Sequence, residues 1–381
     1  MSKLNSGNFG IVVSGGPAPG INCAIGSIVI EATNRGFKVF GFQEGFRGIL
    51  EDGVGSSTTL STESVTPLLH SGGSYLGTSR TNPLAKETAK HKLEYTLREL
   101  GIDKLIVIGG EGSAYLAQRL SKECAALSVA HLPKTIDNDI LLPNNQPSFG
   151  FVTAKSAGTS ILNALNTDAR TERKRWFVVT TMGRRAGFLA LSLGVASGAT
   201  LTLIAEEFVG KNATPQDVAK VIFLSIKRRA QEGKGFGVAV LAEGIIDHLD
   251  PASARELKDV PRDELGRIRY NLIEIGDLVV PILCRMCDEQ GIDARITSKN
   301  LGYELRCQPP GAFDIEYTRF LGYGAVKYLL EGKSGVTVIR DHDNLGVVSL
   351  ADMADSAGNI RSRCVDLSSD LYTVARSYMI R

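Results

Sequence analysis

No apolar run in this chain reaches the ~18 residues that a membrane-crossing helix needs, so no spanning segment is expected. Residues Met1 to Asn8 carry no apolar core of a secretion signal and lead directly into a strand-like run, which points to a cytoplasmic protein. Cysteine is sparse, with six in 381 residues, and its scatter speaks against a disulfide framework. The pair Cys284-Arg-Met-Cys287 has no second CxxC and no nearby His pair. It falls in an apolar segment of helical spacing, 278–286, and reads as ordinary helix rather than a zinc or redox site. A surplus of one charge is also missing. The net charge is +2 and the basic residues are dispersed, so nucleic acid is not an expected partner. No fixed-period repeat or low-complexity segment stands out. Neither GxGxxG nor GxxxxGK[ST] occurs, which leaves out the ordinary dinucleotide fingerprint and the Walker P-loop.

What is present is a chain that is 43% hydrophobic and 22% charged, long enough for two or three domains with ample core. Its 41 glycines act as punctuation, many directly after apolar runs. Phe9–Val13 leads into Ser14-Gly-Gly-Pro-Ala-Pro-Gly20 and a helical stretch, 21–33. Leu105–Ile108 leads into Gly109-Gly-Glu-Gly-Ser113 and a helix over 114–121. Trp176–Thr181 leads into Met182-Gly-Arg-Arg185 and a helix over 186–196. Thr202–Ala205 and Val238–Leu241 are further apolar strands. Continuous apolar strands alternating with helices mean a parallel sheet buried on both faces, hence a doubly wound α/β protein. The expected division places residues 1–140 in one lobe and 141–310 in a second, with 311–381 packing back on the first. The charge-rich stretch 255–269 reads as exposed helix and loop.

The most informative stretch is Pro133-Lys-Thr-Ile-Asp-Asn-Asp139, after the apolar run Leu127, Val129, Ala130 and Leu132. It sets a lysine, a hydroxyl and two carboxylates at one strand end, where parallel α/β sheets place their chemistry. Phosphoryl transfer needs such a set: a base for the attacking hydroxyl, a carboxylate near Mg²⁺, and a cation for the moving phosphoryl group. By itself the heptad could be an Asx-rich turn that only reverses the chain. The glycine pairs Gly15-Gly16 and Gly109-Gly110 add two phosphate cradles, each opening a helix. Glu111, inside the second cradle, would repel phosphate unless a cation intervened, which points to Mg²⁺. Arg80, Arg173 to Arg175, Arg184, Arg185 and Arg306 stand near expected turns and strand ends, and guanidinium groups suit phosphate. Glu243 follows a strand, where it could accept from sugar hydroxyls or merely end the strand.

These motifs occur together in one order. Ser14–Asn22, Leu76-Gly-Thr-Ser-Arg80, Gly109–Ser113, Pro133–Asp139, Met182-Gly-Arg184, Ala242-Glu-Gly244 and Leu301-Gly-Tyr-x-x-Arg306 resemble the phosphofructokinase family over about residues 8–335. The resemblance implies two Rossmann-like lobes, a phosphoryl donor on the first and fructose 6-phosphate at the lobe interface. It also implies Mg²⁺ and a homodimer or homotetramer. Carried over by position, Asp137 matches the general base on the sugar 1-hydroxyl, Thr135 touches the sugar, and Asp139 supports the metal region. Gly15, Arg80, Gly110, Gly112 and Ser113 match donor positions, and Glu111 replaces a metal-binding Asp. Met182, Gly183, Arg184, Glu243, Tyr303 and Arg306 match sugar-phosphate positions. Arg175 matches an arginine given across a subunit interface. Lys134 and Arg184 would neutralise transition-state charge.

The family uses either ATP or pyrophosphate. Gly112 stands where pyrophosphate users carry an Asp that crowds ATP, so the resemblance implies ATP as donor and fructose 1,6-bisphosphate, a glycolytic intermediate, as product. Lys134 stands where pyrophosphate users carry Lys and keeps that donor as the alternative. Three departures stand out: Tyr303 for a common His, Cys307-Gln-Pro-Pro310 after Arg306, and Gly26 and Ile30 where regulated bacterial members carry arginines. An inactive binding paralogue is the non-enzymatic alternative, and the intact Thr135-x-Asp137 speaks against it.

Overall fold

The computed structural model describes residues 7–258 and 272–381. Its strands are β1 (Asn8–Val13), β2 (Val39–Phe42), β3 (Ser57–Leu60), β4 (Ile102–Gly109), β5 (Ser128–Thr135), β6 (Phe149–Gly150), β7 (Arg175–Thr181), β8 (Leu201–Leu203), β9 (Gly237–Ala242), β10 (Arg295–Leu301), β11 (Val336–Asp341) and β12 (Asn344–Ser349). The chain divides into two units. The first comprises residues up to Ile136, Ile140–Ala154 and Arg306–Ser362. The second comprises Asp137–Asp139, Lys155–Leu305 and Arg363–Arg381.

The first unit holds a sheet in the order β12-β11-β5-β4-β1-β2-β3, with β6 paired to the end of β5. Pairings β1–β2, β1–β4, β4–β5, β5–β6 and β5–β11 are parallel, and only the outer pairs β2–β3 and β11–β12 are antiparallel. Alternate residues of the central strands feed two cores. Phe9, Ile11, Ile106 and Ala130 pack with the helices Ile21–Asn34 and Ala312–Leu330. Val12, Leu105, Val107 and Val129 pack with the helices Glu87–Glu99 and Glu111–Glu123. Both faces are therefore covered, which is why the strands read as unbroken apolar runs.

The second unit holds a four-stranded, all-parallel sheet, β10-β7-β9-β8. Trp176, Val178, Ala239 and Leu241 face the helices Pro215–Gln231 and Ile275–Glu289 in a single core. Cys284 and Cys287 lie in that second helix as free thiols, and burial pushes the Cys287 thiol up to about 11. This fits packing better than thiolate chemistry.

Several expected bounds shift. Residues 141–154 and 306–310 fall in the first unit, and 363–381 in the second. One reason is the pairing of Phe149 and Gly150 with Lys134 and Thr135. Another is buried Asp314, whose carboxylate accepts from the N–H of Gly150 at 2.8 Å and of Thr153 at 2.9 Å. The tail joins the second unit because Ile380 N–H donates to the Thr200 carbonyl at 2.9 Å and Arg381 pairs with Glu207. The strand expected over 202–205 is β8, shorter and one residue earlier, with a 3₁₀ turn at Ala205–Phe208. Of the charge-rich stretch 255–269, only Arg255–Lys258 lies within the described residues, as a short helix. No helix among the described residues is long and apolar enough to cross a membrane.

Candidate active site

In the first unit the heptad does not follow β5 but begins inside it, since the strand runs on through Pro133, Lys134 and Thr135. Pro133 is the last residue of β5 paired with β4, opposite Gly109, and the pairing with β6 begins only at Lys134. A proline without an N–H fits the end of a ladder. Ser148 Oγ donates to the Thr135 carbonyl at 2.9 Å and braces the same end.

Lys134 is 3% exposed. Its ammonium donates to the carbonyl of Gly16 in the first cradle. Gly15 has φ +89°, and a Cβ there would sit 3.4 Å from Lys134 Nζ. Thr78 Oγ1 donates to the Gly15 carbonyl at 2.7 Å, and Gly15 N–H donates to the Ser79 carbonyl at 2.9 Å, fixing the turn beside Arg80. Arg80 is exposed. Arg306 stands in this first unit, where a Cβ on Gly16 would lie 3.4 Å from its guanidinium carbon. Its expected companion Tyr303 belongs to the second unit and is 62% exposed.

The second cradle opens the helix Glu111–Glu123. Only Gly109 is sterically required: a Cβ there would lie 2.1 Å from Ser113 Oγ, while one on Gly112 meets nothing within 4 Å. Ser113 is buried. A Cβ on Gly110 would come 3.4 Å from the Lys134 carbonyl, so the second cradle lies against β5. Glu111 accepts at Oε2 from Ser362 Oγ at 3.0 Å. No three His, Cys, Asp or Glu cluster as a metal set among the described residues. One carboxylate beside a phosphate cradle nevertheless suits Mg²⁺, which keeps waters and draws ligands from substrate phosphates.

Below this cradle, fully buried His131 spans β4 and β11. Its Nε2 lies 2.9 Å from the Gly109 carbonyl and its Nδ1 3.1 Å from Thr337 Oγ1. A carbonyl can only accept, so Nε2 carries the proton and Thr337 donates to Nδ1. Burial pulls this imidazole down to about 4. Sequence reasoning passed over His131; the available signal was one histidine set among the apolar residues Val129, Ala130 and Leu132 of a central strand.

In the second unit, Asp137 stands with the turn Met182-Gly183-Arg184 and with Glu243. Arg184 Nε lies 3.8 Å from Asp137 Oδ2. Glu243 Oε1 accepts from the N–H of Gly183 at 3.1 Å and of Arg184 at 2.9 Å. Burial pushes the Glu243 carboxyl up to about 7. The Asp137 carboxylate adds to this, while the two backbone hydrogen bonds and the Arg184 charge oppose it. Met182 packs on Gly302, where a Cβ would come within 2.5 Å of its side chain. Asp139 is buried, and its carbonyl accepts from Arg363 N–H at 2.7 Å.

Arg175 is not part of this group. It opens β7, whereas Met182 follows the far end of the same strand. Seven residues of strand at ~3.3 Å each separate them by about 20 Å. At its own end Arg175 pairs with Asp168 at 3.6 Å and Glu172 at 3.4 Å.

Comparison with known proteins agrees with these motifs. The family model "Phosphofructokinase" matches residues 8–329. A pyrophosphate–fructose 6-phosphate 1-phosphotransferase from Thermotoga maritima is 41% identical over 98% of this chain and 90% of its own length. An ATP-dependent 6-phosphofructokinase from Lactobacillus acidophilus is 34% identical over 91% of this chain and 93% of its own. Among solved structures, a pyrophosphate-dependent phosphofructokinase from Marinobacter aquaeolei superposes with TM-score 0.73 at 18% identity, covering 98% of this chain and 91% of that one. That last likeness is one of fold. With the family model spanning most of the chain and relatives above 30% identity along nearly its whole length, the chain belongs to the phosphofructokinase family.

Proposed function

We propose that this protein transfers a phosphoryl group from pyrophosphate to the 1-hydroxyl of fructose 6-phosphate. The ATP donor expected from Gly112 gives way for two reasons. The observation that carries the reading is that the more similar of the two curated relatives bears the pyrophosphate name, at 41% against 34% identity. The other is physical: Gly112 is open space, which permits a nucleotide without selecting one. Lys134, by contrast, is a buried cation aimed at the first cradle.

In this reading Asp137 takes the proton of the 1-hydroxyl as its oxygen bonds to phosphorus, and the bridging P–O bond of pyrophosphate breaks to release phosphate. Thr135 touches the sugar and Asp139 supports the metal region. Lys134 and Arg184 neutralise charge on the transferring group, and a charged donor in a dry site is worth most there. Gly15, Gly110, Ser113 and Arg80 receive the donor phosphates. Mg²⁺ would be held by Glu111 with donor phosphate oxygens, supplying charge neutralisation. Met182, Gly183, Glu243 and Tyr303 serve the sugar phosphate. Arg306, set against Gly16, reads better as a donor-side cation than as the sugar-phosphate ligand expected from the resemblance. Arg175 serves a neighbouring subunit of a homo-oligomer, since its own chain's Met182 turn lies a strand length away.

A coupled assay of fructose 1,6-bisphosphate formation with pyrophosphate or ATP, each with Mg²⁺, tests the reading. Turnover with pyrophosphate well above that with ATP is expected. Turnover with ATP alone would overturn the donor, and none with either would overturn the activity.

A further inference from the structure

The helix Glu111–Glu123 is accompanied by a segment from far along the chain, Leu350 to Ser362. Leu350, Met353 and Ile360 are buried in the same core as Ala114 and Ala117. Gln118 Nε2 donates to the Leu350 carbonyl at 3.2 Å. The segment closes on itself, with a bridge between Ala354 and Ile360 and an Arg361 N–H to Met353 carbonyl bond of 2.9 Å. It lies beyond residue 329, where the family match ends.

This segment ends at the second cradle. The backbone of Ser362 bridges that of Ile140, just past the heptad, and its hydroxyl donates to Glu111 Oε2 at 3.0 Å. A glutamate reaches a metal through one more rotatable bond than an aspartate, so its carboxylate samples more positions unless something holds it. A hydroxyl donated to one oxygen does this and leaves the other oxygen for a cation. Outer partners of this kind commonly set the orientation of metal-binding carboxylates.

We propose that Ser362 is a positioning residue that holds Glu111 in one orientation for the Mg²⁺–donor complex, so that the C-terminal segment completes the donor side of the site. This rests on the reading of Glu111 as the metal carboxylate.

The test uses the full chain and its Ser362→Ala and Ser362→Thr variants, all at an exposed position where folding is not at stake. Equilibrium binding is measured by calorimetry for Mg²⁺–imidodiphosphate, for imidodiphosphate in EDTA, and for Mg²⁺–β,γ-imido-ATP. Ser362→Ala is expected to weaken the magnesium complex roughly tenfold, with metal-free binding and fructose 6-phosphate binding unchanged and Ser362→Thr restored. Wild-type affinity of Ser362→Ala for the magnesium complex would overturn the proposal. So would equal weakening without metal, since Ser362 would then act on the cradle. If the wild type binds only Mg²⁺–β,γ-imido-ATP, the donor reading falls while the same comparison on that complex still decides Ser362. Binding of neither complex would overturn both.

Discussion

Glu243 holds the backbone of Arg184. Its Oε1 accepts the Arg184 N–H at 2.9 Å, and Arg184 in turn reaches towards Asp137. Arg184 needs this hold, because its φ of +50° is unfavourable for a residue with a side chain. Such strain costs on the order of 1–3 kcal/mol and persists where neighbours enforce it. Gly183, at φ +149°, allows the turn, and a Cβ there would meet the Ala186 carbonyl at 2.7 Å.

The first prediction concerns this carboxyl and pH. Glu243 titrates at about 7 in the folded protein, against 4.5 ordinarily. Between those values the folded state binds the extra proton, so ionisation of Glu243 costs stability as pH rises from 4.5 to 7. At ~1.4 kcal/mol per unit the full effect is about 3 kcal/mol. Glu243→Gln keeps an acceptor for the turn and cannot ionise. Urea unfolding at pH 5 and pH 8 should show the variant gaining on the wild type by up to that amount at the higher pH. A constant difference would mean that Glu243 does not titrate in this window.

His131 should act in the opposite direction. Its folded value of about 4 lies below the ordinary 6.5, so the unfolded chain takes up the proton first and stability is lost as pH falls from 6.5 towards 4. The stability advantage of wild type over His131→Gln should therefore shrink on acidification. Thr337→Val, which leaves Nδ1 unpaired, should cost about 1–3 kcal/mol near neutral pH. Unfolding curves of the variants across pH 4.5–7.5 read both effects.

Asp137→Asn removes the proposed base while preserving size. Its kcat should fall roughly 10²–10⁴-fold, with KM for fructose 6-phosphate little changed. A steady-state assay with near-wild-type kcat would take Asp137 out of the chemistry.

Gly112 can accept a larger residue, since nothing lies within 4 Å of its Cβ position. With pyrophosphate as donor, Gly112→Asp should leave pyrophosphate kinetics close to wild type and abolish whatever ATP use the wild type shows. Loss of both activities together would mean that the cradle, rather than a nucleotide, fills this space.

Arg175 should report on shared sites. One charge-assisted contact to phosphate is worth ~1.5–3 kcal/mol, so Arg175→Ala should raise KM for the sugar phosphate by about 10–150-fold. Oligomers mixed from Arg175→Ala and Asp137→Asn chains should regain part of the lost activity. Mixed oligomers with no recovery would confine each site to one chain.

Local chemistry made much of this protein legible from sequence. Parallel strands buried on both faces must be apolar throughout, so β1, β4, β7 and β9 stood out as runs, and the glycines marked where helices begin. The heptad announced itself because lysine and paired carboxylates are costly beside a core unless they serve a purpose. Other features depend on contacts between residues distant in sequence, which no spacing encodes. Arg306 meets Gly16, Ser362 meets Glu111, and Asp314 meets Gly150 and Thr153 only because the chain returns to the first unit after passing through the second. The upward shift of the Glu243 carboxyl likewise arises from burial and from Asp137, more than a hundred residues away, because solvation and charge act through space and not along the chain. The sequence alone thus determined the elements and the kind of chemistry, while tertiary packing decided which cation faces which cradle and which carboxyl keeps its proton.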